Sequence, residues 1–62
     1  MNTAVITDIM EMMKVTTSEA YEIAEVVQTE DLLDWSEASI TQYRKAFKLA
    51  QAFIANGNSW EF

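Results

Sequence analysis

Cysteine, histidine and proline are absent from this 62-residue sequence, and glycine occurs once, at Gly57. Each absence closes a class of function. Without cysteine there is no disulfide and no thiolate, so cysteine usage says nothing about the redox compartment. Without histidine the chain lacks the commonest metal ligand and the side chain best suited to proton transfer near neutrality. A lone glycine cannot form a phosphate-cradling loop, which needs several glycines at fixed offsets. Asn56-Gly57 is the one strong hairpin signal, and it stands too close to residue 62 for a second strand to follow. Long apolar runs are missing too: none approaches the ~20 residues of a membrane span. The first residues show no basic segment ahead of an apolar stretch. The expectation is a cytoplasmic protein with no membrane partner.

Catalysis finds little to work with. The serines and threonines have no histidine beside them, and most stand where helix caps are expected. Carboxylates are plentiful, but a chain this short offers no deep cleft to desolvate a pair of them. They do not follow the alternating ligand pattern of a calcium-binding loop, with glycine at its sixth position. The sequence therefore predicts no enzyme, no cofactor, no metal and no small-molecule substrate.

What is present is half apolar by residue type and strongly acidic, with ten acids against four bases and a net charge of −6. A domain of this size buries about 60% of the surface its unfolded chain exposes, so its stability margin is thin. The whole of 1–62 reads as a single all-α domain, a small three-helix arrangement with a short tail at 58–62. The predicted helices are 3–14, 16–29 and 35–55.

In the first, Val5, Ile6, Ile9, Met10, Met12 and Met13 form one wide apolar face. Thr16 and Glu19 fit a capping box that opens the second, with Val15 and Ala20 as a hydrophobic staple. Ala20, Tyr21, Ile23, Ala24, Val26 and Val27 follow at helical spacing, and Glu19, Glu22 and Glu25 line the other side. Residues 29–34 are ambiguous: Thr29 caps one extra turn, or the helix runs on. Asp34 and Glu37 form a second capping box, from which a long helix carries Ile40, Tyr43, Phe47, Ala50 and Ile54 inward. Asn56-Gly57 ends it, because glycine accepts the left-handed conformation past a helix end. Trp60 and Phe62 are expected to fold back near Trp35.

Charge divides along the chain. Residues 1–37 hold nine acids and one lysine, a net of −8, whereas residues 38–62 hold three bases and one acid, a net of +2. The basic trio Arg44, Lys45 and Lys48 shares an exposed side of the last helix with Thr41 and Gln42. Together with Ser39, these are residue types that contact base edges and phosphates in a major groove. The stretch from Asp34 to Lys45 resembles the turn and third helix of helix-turn-helix proteins over its twelve residues. The resemblance implies that Ile40 and Tyr43 anchor a recognition helix spanning 36–55 and that a dimer presents two such helices to DNA. The chain departs from that pattern at Glu30, where the family carries a small residue, and at Asp34, where it carries a turn glycine.

Against this stands the acidic surface. Glu19, Glu22, Glu25, Glu30 and Asp31 head a set of seven carboxylates between positions 19 and 37. They are suited to docking on a basic surface with electrostatic steering. The methionines supply a third feature, since Met10, Met12 and Met13 cover more arc than one core face needs. Ile9, Met10, Met13, Tyr43, Phe47 and Ile54 accordingly form a candidate dimer seam, and a dimeric helical bundle is the expected assembly. In size and composition the chain resembles the accessory proteins of phages and mobile elements. The leading expectation is a small acidic regulatory protein that binds a protein partner as a homodimer. A DNA-binding transcriptional regulator is the alternative.

Overall fold

The computed structural model describes residues 3–62. It contains three helices, α1 (Thr3–Met13), α2 (Thr17–Thr29) and α3 (Ile40–Ala55), and no strand among the described residues. The fold is a small all-α domain whose core draws on every helix. Ile6 and Ile9 come from α1, Ala20, Ile23, Ala24 and Val27 from α2, and Ala46, Phe47 and Ala50 from α3. Four of these nine are alanines, which let the backbones approach while Phe47, Ile9, Ile23 and Val27 fill the space between them.

Local signals account for most helix ends. At the start of α2 the Thr16 hydroxyl accepts the Glu19 amide at 3.2 Å and donates to the Glu19 carboxylate at 3.1 Å. At its end the Leu32 amide reaches the Val27 carbonyl at 3.0 Å and the Asp31 amide reaches Gln28 at 3.4 Å. That pair of bonds is a Schellman motif, with Asp31 in the left-handed position at φ 52°. The end of α3 repeats it: Asn58 bonds to Phe53 at 2.9 Å and Gly57 to Ile54 at 3.2 Å, with Gly57 at φ 67°. α1 stops at Met13 because Lys14 turns left-handed, at φ 56°.

The start of the third helix differs from expectation. Asp34 does not cap it. Its carboxylate accepts the Ser36 amide at 3.2 Å and the Ser36 hydroxyl at 2.7 Å, which closes a local turn two residues on. α3 begins at Ile40 under a capping box built from Ser39 and Gln42. Ten residues, 30–39, therefore separate α2 from α3, where the helix-turn-helix resemblance implies a connection of about 3–4 residues. Ile40 stands at the first turn of α3, 64% exposed, and does not anchor the helix. That role falls to Tyr43 and Phe47, whose rings stack at 6.1 Å, with Trp35 from the connection against both at 5.9 and 6.5 Å. Trp35 also lines a small hollow with Val5 and Asp8 of α1 and with Tyr43 and Phe47 of α3.

Two further expectations are corrected by packing. Ile9 and Phe47, assigned to a dimer seam, are fully buried within the single chain. Met10, Met13, Tyr43 and Ile54 pack half-buried against the same core. Of the wide face of α1, Ile6 and Ile9 are buried within the chain, and Val5, Met10, Met12 and Met13 are half-buried. The tail does fold back, but onto the other half of α3: the Trp60 ring lies 4.5 Å from Phe53, far along the helix from Trp35.

Candidate functional site

No charged or polar residue is buried among the described residues, so all the chemistry is on the surface. Heptad arithmetic and packing together decide which surface. On α2, Ala20, Ile23, Ala24 and Val27 face inward, and Glu22 and Glu25, one turn apart, face out beside half-buried Val26. The Schellman turn then places Glu30 at the α2 terminus, next to the last turn of α3. A hollow of about 500 Å³ runs between the two helices, bordered by Glu22, Glu25, Val26, Thr29, Glu30, Phe53, Ile54 and Asn58. Its lining is mixed: half-buried Val26, Phe53 and Ile54 are the apolar part, and three exposed carboxylates are among the polar part.

The tail packs beside this groove: Asn58 lines it, and Trp60 contacts Glu30 and Phe53 of its wall. The Trp60 indole N–H donates to Glu30 Oε1 at 2.7 Å, a contact across thirty residues of sequence. Asn56 holds the tail in that position: its side-chain amide donates to the Ser59 carbonyl at 3.0 Å and to the Glu61 carbonyl at 2.9 Å. Sequence reasoning missed Phe53, Asn56 and Trp60 as parts of this surface. The available signal was the pairing of an aromatic tail with a glycine stop, which brings Trp60 back over the preceding turn.

The five acidic residues named from sequence divide accordingly. Glu22, Glu25 and Glu30 share the groove. The Glu19 carboxylate is engaged at the α2 cap by the Thr16 hydroxyl. Asp31 borders a different hollow, formed by the 31–36 segment. Among the described residues, no three carboxylates converge as metal ligands do.

The six residues named for DNA also divide. Ser39 and Gln42 are committed to the α3 cap: the Ser39 hydroxyl accepts the Gln42 amide at 3.3 Å, and Gln42 Oε1 accepts the Ser39 amide at 2.8 Å. Thr41, Arg44, Lys45 and Lys48 are exposed. At about 100° per residue the three cations span roughly 100° of the helix, opposite Ala46, Phe47 and Ala50. Among the described residues no helix is long and apolar enough to cross a membrane.

The fold and site thus define a small three-helix domain with an acidic groove on one side and a basic helix face on another. No family model, no curated protein and no solved structure matches the chain significantly.

Proposed function

We propose that this chain is a small regulatory interaction protein that binds a basic segment of a protein partner through the groove between α2 and α3. The observation that carries this reading is that three carboxylates, Glu22, Glu25 and Glu30, line one hollow together with the apolar side chains of Val26, Phe53 and Ile54. A solubilising face needs the charge but not the apolar side chains. A lysine- or arginine-bearing amphipathic helix presents both complements, aliphatic contacts for Val26, Phe53 and Ile54 and cations for the rim. The small size and acidic composition suit an accessory protein that occupies a partner's basic surface.

The test is a titration with a helical peptide carrying a leucine stripe flanked by lysines, read by tryptophan fluorescence, since Trp60 contacts Glu30 and Phe53 of the groove. Binding is expected, weakening by about tenfold or more between 0.1 and 1 M salt as the screening length falls from ~10 to ~3 Å. The double variant Glu22→Lys/Glu25→Lys is expected to abolish it. Both side chains are exposed, and the variant exchanges one like-charge pair for another, so it keeps its fold. Unchanged binding by that variant overturns the reading.

A second reading rests on the outward face of α3. Thr41, Arg44, Lys45 and Lys48 remain available for phosphate and base contacts on DNA. Under it, Arg44→Glu abolishes retardation of duplex DNA; under the leading reading, that substitution leaves peptide binding intact.

A further inference from the structure

A second surface lies outside the acidic groove. The Schellman turn after α2 sends Leu32 and Leu33 along α3, where they meet Leu49 around a hollow of about 280 Å³. Leu32 and Leu33 are half-buried, and Leu49 is 40% exposed. The same Leu32–Asp34 segment also lines a second, open hollow with Asp31, Trp35 and Ser36. Leu32, Leu33 and Leu49 are the main apolar part of a surface that is otherwise largely polar. Two charges of opposite sign sit on its border, Asp34 from the connection and Lys45 from α3.

We infer that this surface pairs with the same surface of a second copy of the chain, as an isologous two-fold dimer. A two-fold axis brings each residue of one copy against the counterpart's complement: if Asp34 meets Lys45 of the second copy, Lys45 meets its Asp34. A partner with a uniformly basic or acidic face satisfies only one of the two charges; a second copy satisfies both. The charges set the register, and Leu32, Leu33 and Leu49 supply the apolar contact. This places self-association away from α1, whose Ile6 and Ile9 are buried inside the protomer. It does not depend on the groove between α2 and α3.

Sedimentation equilibrium across micromolar to millimolar protein tests the proposal. The expected result is a mass rising from 7.1 kDa toward twice that value. Leu49→Glu is expected to hold the mass at one chain while helicity by circular dichroism is unchanged, because Leu49 is outside the core. Lys45→Asp and Asp34→Lys place like charges in both pairings and each is expected to weaken association by about tenfold or more. Mixing the two variants restores attraction in both pairings of the heterodimer, so a recovered dimer in the mixture is the specific signature. Asp34 also holds Ser36, so if Asp34→Lys does not fold, Leu49→Glu and Lys45→Asp decide. One-chain mass over the whole range overturns the proposal, as does dimerisation unaffected by Leu49→Glu and Lys45→Asp. Glu22→Lys/Glu25→Lys, which breaks peptide binding, is expected to leave the mass unchanged.

Discussion

Two helices end in the same hydrogen-bonded motif with different residues at its left-handed position, Gly57 after α3 and Asp31 after α2. Side chains other than glycine pay a steric cost there of roughly 1–2 kcal/mol, somewhat less for Asp. Asp31→Gly is therefore expected to stabilise the fold by up to about 1 kcal/mol, raising Tm by ~4–8 °C per kcal/mol for a domain of this size. Gly57→Ala is expected to do the opposite. A methyl group at Gly57 meets no atom within 4 Å, so the loss comes from backbone strain alone and not from a clash. Thermal unfolding followed by circular dichroism measures both. Equal melting temperatures for Gly57→Ala and the parent chain contradict the assignment.

The elements show where sequence signals compete. Thr16 and Gly57 were legible because each is the only strong signal in its neighbourhood. Before α3, Asp34–Glu37 reads as the capping box, yet the cap formed is Ser39–Gln42, and the choice is made by tertiary packing. On one continuous helix Trp35 lies ~12 Å along the axis from Tyr43 and ~18 Å from Phe47. Its ring reaches 5.9 and 6.5 Å from theirs only because the chain leaves helical geometry between them. Nothing local to residues 34–39 encodes that requirement. The same gap explains Ile40: its heptad position matches Tyr43 and Phe47, but at the first helical turn it lies beyond the core. Ser39→Ala removes the working cap and is expected to cost about 1 kcal/mol. Glu37→Ala, which removes the cap partner that the structure does not use, is expected to cost a few tenths at most. Urea unfolding of the two variants distinguishes them, and equal losses contradict the observed start of α3.

At the scale of the whole molecule, the charge asymmetry was legible and its geometry was not. Counting along the chain gives an acidic first part and a basic last helix. It does not show that Glu22, Glu25 and Glu30 line one hollow with apolar side chains while Glu19 and Asp31 do not, because that grouping depends on Phe53, Ile54 and the returning tail. Ile9 and Phe47 drop out of the candidate dimer seam for a related reason. Apolar spacing shows which side chains need covering, and the other helices of the same chain cover these two.

The central claim is that the groove between α2 and α3 is the binding surface for a basic segment. Amide and indole NMR shifts of the protein, followed during titration with the lysine- and leucine-bearing peptide, test it most directly. The account predicts saturable shifts at Glu22, Glu25, Val26, Phe53 and the Trp60 indole, whose N–H now bonds Glu30, with Asp8 and Glu11 of α1 unmoved. Shifts of equal size at Asp8 and Glu11, or none at the Trp60 indole, contradict it.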